Sequence, residues 1–242
     1  MKLLRCNFSN LTKEETIDKI VKSIDQNKKI VYMDINADKI VTIYKDPTMQ
    51  KYVDEADIVN PDGMAVFWAS KFLGKPLKER IAGVDLFVEL IKVSAEKGYR
   101  IYFLGAKQEV IELMIEKIRR EYGDSVIGGY RNGYFSEEDE ENICNEINKS
   151  NSQLLFLGIT SPKKEYFIER NKDKLNVNFI MGVGGSFDVV SGKIKRAPLI
   201  MQKLGLEWLF RIYQEPKRLW KRYAKTNPIF IYIVLKERFS KS

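Results

Sequence analysis

The chain has 242 residues, 44% of them hydrophobic and 31% charged, which is enough to bury a sizeable core as one large domain or two small ones and too apolar for disorder. It has no histidine and only two cysteines. This excludes Ser-His-Asp and Cys-His catalysis and HExxH zinc sites, and leaves Asp, Glu, Lys, Tyr or Cys for acid–base chemistry near neutral pH. The net charge of +8 is uneven: residues 193–242 hold 13 Lys and Arg against 3 Glu, while residues 1–192 hold 28 basic against 30 acidic side chains. A polyanionic partner such as nucleic acid, lipid headgroups or a diphosphate is expected at the tail.

In chain order, MKLLRCNFSN has too short an apolar run for a signal peptide, and no stretch reaches the ~18 apolar residues of a spanning helix. Cys6 and Cys144 form no CxxC pair and read as reduced structural thiols of the cytoplasm. Residues 12–28 place Ile17, Ile20, Val21 and Ile24 on one helical face, with Thr12 and Glu15 spaced as a capping box. KIVYMDIN predicts a strand over 29–35, followed by a helix from Ala37 to Lys45 and another starting at Pro47.

VNPDGMAVFW places Asp62 in the turn between a strand ending at Pro61 and an apolar helix. That position suits a helix N-cap and equally the strand-to-helix corner where α/β proteins carry their chemistry. Gly74 and Pro76 break the chain, and Val84–Glu96 resume a helix, with Arg80 and Asp85 flanking Gly83. Strands at 99–104, 126–130, 153–158 and 177–183 then alternate with helices at 107–121, 136–149 and 162–174. The pattern predicts an α/β fold, a Rossmann-like, mainly parallel sheet with helices on both faces.

Such sheets bind ligands at the carboxyl ends of their strands. Three of those ends carry glycine: Gly105, Gly158, and Gly182 with Gly184 and Gly185, the last followed by Ser186 and Asp188, which can hold a sugar or ribose hydroxyl. Neither GxGxxG nor GxxxxGK[ST] is present, and glycines that only turn the chain remain an alternative. No DxD-type acid pair stands at a strand end, so neither a metal nor a cofactor is expected. The acids at 54–57 and 137–141 read as solvated helix faces.

The tail interleaves Trp208, Tyr213, Trp220 and Tyr223 with Arg211, Arg218 and Arg222. Its prolines at 198, 216 and 228 predict a division into short helices. Basic residues beside Trp and Tyr suit a membrane interface, and a packed helical cap with solvated charges fits the pattern as well.

PDGMAVFW, ERIAGVDLF, YRNGYF, LGITSPKKEYFI, GVGGSFDVVSGKIKRAP and GLEWLFRIYQEPKRLWKRY together resemble the WecG/TagA/CpsF family of bacterial glycosyltransferases over roughly residues 28–225. The resemblance implies an inverting, metal-independent transfer of a sugar from a UDP-sugar donor to a polyprenyl-diphosphate-linked sugar, in cell-surface polysaccharide or teichoic acid synthesis. It implies a GT-E fold whose α/β catalytic domain, here 1–195, carries a C-terminal helical membrane-associating appendage, here 196–242. The protein would then lie in the cytoplasm, peripheral on the inner face of the cell membrane. Anionic lipid would meet the tail, no nucleic acid partner would be involved, and apolar surface beside the appendage would allow a homo-oligomer.

Carried over by motif, Asp62 becomes the general base. Asp34, Asn36, Arg80, Lys164 and Glu165 belong to the sugar site, Arg211, Arg218 and Arg222 meet diphosphate, and Gly105, Tyr134, Gly158, Gly184, Gly185 and Asp188 border the nucleotide. Two positions depart from the family pattern. Asp34-Ile35-Asn36 stands where many members have Thr-x-Asn, and Pro162-Lys163-Lys164-Glu165 where they have Pro-x-Gln-Glu, so Asp34 and Lys164 are expected to face each other as a polar pair. A nucleic-acid-binding protein or another α/β transferase, such as one using S-adenosylmethionine, are the alternatives.

Overall fold

The computed structural model describes residues 1–240, apart from the side chain of Arg218. Six strands form one parallel sheet: β3 (Ile30–Ile35), β4 (Ile58–Pro61), β5 (Ile101–Gly105), β6 (Ile127–Arg131), β7 (Leu154–Gly158) and β8 (Phe179–Gly182), in the order β4-β3-β8-β7-β5-β6. Ahead of them β1 (Lys2–Leu3) and β2 (Cys6–Asn7) make a small antiparallel hairpin that the sequence reading does not contain. Its turn residues Leu4 and Arg5 have φ of 48° and 61°, a conformation that turn-forming Asn and Gly adopt far more readily.

Because strand side chains alternate between faces, the sheet has two apolar surfaces, and each is covered. On one, Val31, Met33, Ile35, Leu155, Leu157 and Ile180 pack with residues of α2 (Ala37–Ile43), α3 (Pro47–Asp54), α4 (Met64–Phe72), α7 (Glu140–Lys149), α8 (Lys163–Asn171) and the hairpin. On the other, Tyr32, Phe103, Phe156, Phe179 and Met181 pack with α1 (Lys13–Asp25), α5 (Gly83–Lys97), α6 (Gln108–Tyr122) and α9 (Ser186–Val190). The capping box expected at Thr12 and Glu15 is present. A 3-10 turn, Glu137–Asp139, precedes α7.

Two expectations are corrected. Glu140 is not on a solvated face: it is buried, paired with Arg170 and accepting from Asn171 Nδ2 at 2.7 Å. The tail does begin as short helices, α10 (Leu199–Lys203) and α11 (Glu207–Gln214), but α12 runs from Pro216 to Phe239 straight through Pro228. Proline removes one backbone donor and crowds the preceding turn. Here the helix is held by tertiary packing, since Phe230, Ile233 and Val234 join the main core and Thr226 Oγ1 donates to Asp38 of α2 at 2.9 Å. No described helix is long and apolar enough to cross a membrane.

Candidate active site

Asp62 follows β4, and its backbone N–H still donates to Ile35 O of the neighbouring strand at 2.9 Å. It does not cap the helix after it: Gly63 is the N-cap of α4, with no side-chain bond. The Asp62 Oδ1 accepts instead from Gly83 N–H, the first residue of α5, at 2.8 Å. A Cβ placed on Gly83 would stand 3.8 Å from Asp62 Oδ1, from Asp34 Oδ2 of β3 and from Met181 Cε of β8. Burial pushes its proton affinity above the usual carboxylate range and the charge of Asp34 adds to this, while Gly83 N–H, Arg211 and Arg80 oppose it. A raised carboxyl at a strand end is the property of a proton acceptor working near neutral pH.

Asp34, the last residue but one of β3, pairs in register with Asn60, two positions before Asp62. Its carboxylate accepts a hydrogen bond from Lys39 Nζ and forms an ion pair with it, and the same ammonium donates to Asp34 O at 2.8 Å. The expected pairing of Asp34 with Lys164 is therefore corrected. Lys39 lies five residues on, at the start of a helix capped by Asn36 Oδ1, and reaches Asp34 first. Lys164 Nζ instead lies 3.4 Å from Gly182 O and 3.8 Å from Glu165 Oε1, whose carboxylate also stands 3.4 Å from Lys39 Nζ. Asp34, Lys39, Glu165 and Lys164 thus form one buried chain of alternating charge. Burial opposes the charge on Asp34, yet Lys39 and Lys164 outweigh it and hold the carboxyl below its usual range. Burial and the neighbouring Lys39 lower the proton affinity of Lys164.

The arginines approach from the appendage side. Glu207 of α11 bridges two of them, with Arg80 Nη1 at 3.6 Å and Arg211 Nη2 at 3.7 Å. Arg196, which the sequence reading did not single out, makes a two-pronged pair with Asp85, its Nη2 lying 2.7 Å from Oδ2. Both pairs tie the segment after β8 and the appendage to the start of α5. Arg222 is exposed on α12, its guanidinium 5.3 Å from the Tyr223 ring centre, and the side chain of Arg218 lies outside the described structure.

The glycine ends sit on β5, β7 and β8. Gly105 has φ of 148° and faces Gly158, where a Cβ would come 2.4 Å from the Gly158 backbone. The loop carrying Tyr134 joins them through Gly133 N–H to Ala106 O at 2.9 Å, and Tyr134 itself is 70% exposed. Gly182 leaves room for the Lys164 stem, which a Cβ would meet at 2.8 Å. Gly184 takes φ of 52°, and the turn it makes with Gly185 leads into α9, where Asp188 sits.

Not all of these glycines are there for a ligand. A Cβ on Gly158 would lie 2.4 Å from the ring of Phe187, which is fully buried against Phe87 and Phe103. Gly158→Ala is expected to cost about 1–3 kcal/mol by overpacking. Gly185→Ala, at φ of −76° with no atom within 4 Å, is expected to leave the melting temperature unchanged. Thermal denaturation of the two variants separates the roles.

Lys39, Gly83, Arg196 and Glu207 are the additions that the structure makes to the site. Lys39 hides within an apolar helix pattern beside Ile40, Val41 and Ile43, and the one signal for it was a lysine on the face that should be buried. Among the described residues no three acidic or cysteine side chains form a group suited to a metal ion.

Fold and site together define a Rossmann-like α/β protein with a C-terminal helix, whose candidate site gathers side chains after β3 and β4 and around β8. The family described as Glycosyl transferase WecG/TagA/CpsF matches residues 1–242, and the chain belongs to it and is a glycosyltransferase. It is 36% identical over 234 residues, 96% of this chain and 89% of the relative, to an N-acetylglucosaminyldiphosphoundecaprenol N-acetyl-beta-D-mannosaminyltransferase of Bacillus subtilis. It is 35% identical over 213 residues, 88% of this chain and 81% of the relative, to the protein of the same description from Bacillus spizizenii.

Proposed function

We propose that the chain transfers a hexosyl group of the N-acetylmannosamine type from a UDP-sugar to a sugar linked through diphosphate to a polyprenyl chain, with inversion and without a metal. The acceptor follows the names of the two relatives, and the donor follows the family resemblance. The observation that carries the chemistry is the Asp62 carboxylate, fixed by Gly83 N–H and raised in proton affinity by burial. In the reaction the acceptor oxygen attacks the anomeric carbon, its proton passes to Asp62, and the bond to the diphosphate breaks with its electron pair leaving on UDP. Arg80 and Arg211 supply the positive charge for that leaving group or for the acceptor diphosphate, because guanidinium forks match phosphate oxygens.

The test is transfer of labelled sugar by the full chain from UDP-N-acetylmannosamine, UDP-glucose or UDP-N-acetylglucosamine to a lipid-diphosphate N-acetylglucosamine, with and without EDTA. Transfer unaffected by EDTA is expected, and complete loss on chelation would overturn the metal-free reading. Arg211→Ala is expected to raise the KM of one diphosphate substrate by about 10- to 100-fold, the loss of one charge-assisted contact. Steady-state kinetics with each substrate varied in turn identifies which one.

The membrane role of the tail is supported by its exposed apolar residues. Leu199 and Ile200 are 71% and 72% exposed, and Leu204, Trp208, Tyr213 and Trp220 are exposed beside basic side chains, the composition of an interfacial helix. Ile200→Asp with Leu204→Asp is expected to abolish sedimentation with anionic phospholipid vesicles while leaving the melting temperature unchanged. Undiminished vesicle binding would place the membrane contact elsewhere.

A further inference from the structure

Lys39 is a buried cation on a helix face that otherwise holds Ile40 and Ile43, and its side chain is only 5% exposed. A buried ion pair rarely stabilises a fold more than apolar residues of similar size would, so the pair with Asp34 calls for a reason beyond stability. Its position suggests one. Asp34 Oδ2 and Asp62 Oδ1 each lie 3.8 Å from the point where a side chain on Gly83 would begin, and glycine places nothing between the two carboxylates. The other acids nearby face cations of their own: Glu207 bridges Arg80 and Arg211, Asp85 holds Arg196, and Glu165 stands between Lys39 and Lys164.

We propose that Asp34 and Lys39 are a positioning pair for the transfer, Lys39 keeping a permanent negative charge on Asp34 beside Asp62 so that Asp62 is basic enough to take the acceptor's proton. This rests on the reading of Asp62 as the base. Two buried carboxylates that face one point couple, and the one without a cation in direct contact takes up a proton more readily. The groups acting on Asp62 are Asp34 and Tyr32 from β3, Lys39 from α2, Lys164 from α8, Arg80 before α5, Arg196 after α9 and Arg211 from α11. Of these Asp34 is the one that raises its affinity for a proton. Hydroxyl deprotonation gains from a base nearer the working pH, which gives the buried pair a use that its stability does not.

The experiment is a carbon-13 carboxyl titration of the full chain, with the Asp62 resonance assigned by its loss in Asp62→Asn, beside the pH–rate profile of sugar transfer. Asp34→Asn is expected to lower the Asp62 midpoint by about one pH unit and to move the acid limb of the rate profile in the same direction. Lys39→Gln is expected to move both the opposite way, because Asp34 then shares a proton with Asp62. Asp34→Glu, which keeps the charge, is expected to leave the midpoint near that of the natural protein. Where one variant fails to fold, the other decides. An unmoved midpoint beside an inactive Asp62→Asn overturns the role of the pair alone. Full transfer by Asp62→Asn overturns the base reading, and with it the catalytic use of the pair.

Discussion

Asp62→Asn is expected to lower kcat by about 10²–10⁴-fold, the usual contribution of a general base, with little change in UDP-sugar binding. The amide is nearly isosteric, and its oxygen can still accept from Gly83 N–H, so the turn after β4 persists. The same substitution is expected to raise stability at neutral pH. A carboxyl whose affinity for protons is higher folded than unfolded supports the fold fully below its unfolded range, and loses that support as pH rises through its folded value. Burial raises Asp62 in this way, so the gain in Asp62→Asn should appear at neutral pH and vanish in acid. Melting curves at the two pH values, alongside the transfer assay, check both halves. A variant that is inactive yet more stable is the signature of a strained functional carboxylate, whereas a helix cap would give the reverse.

Phe230→Ala is expected to cost about 3–5 kcal/mol, a fall in melting temperature of roughly 6–20 °C for a chain of this size. Phe230 lies beyond Pro228 in the appendage, yet it is 6% exposed and belongs to the same core as Val31 and Leu155. Trp220→Ala, ten residues before Phe230 on the same helix and 55% exposed, is expected to leave stability unchanged. If the appendage from 196 onward were an independent unit, Phe230→Ala would spare the cooperative transition of the α/β body. Differential scanning calorimetry decides. Deleting residues 196–242 would strip this packing together with the membrane-facing surface, so substitutions at Ile200 and Leu204 are the cleaner probe of vesicle binding.

The strand-to-helix alternation made the parallel sheet legible in the sequence, because each strand is a short apolar run between turn residues, and PDG marked the corner that holds Asp62. Contacts set by tertiary packing were not legible. The sequence suggests Lys164 as the residue facing Asp34, but the ion-pair partner stands five residues on at Lys39, since Asn36 starts a helix whose first turn brings that lysine back over the strand end. Pro228 reads locally as a break, yet the buried face of α12 holds the helix through it. The N-terminal hairpin carried no turn signal, because its left-handed residues are Leu4 and Arg5. They are held from outside, by burial of Leu4, by the Arg5 guanidinium 4.3 Å from the Tyr44 ring centre, and by Gln50 Nε2 donating to Arg5 O at 3.0 Å.

That hairpin meets the end of α12: Leu4 N–H donates to Glu237 Oε2 at 3.1 Å, and Leu3, Leu4, Cys6 and Phe8 share a core with Phe230, Ile233 and Val234. Residues 3–8 therefore leave the ribosome long before the α12 residues that pack against them. At about 5–20 residues per second, a gap of some 220 residues is on the order of ten seconds or more during synthesis. Through that interval Leu3, Leu4, Cys6 and Phe8 lack the part of their cover that Phe230, Ile233 and Val234 supply, and this part of the core closes only when α12 has been made.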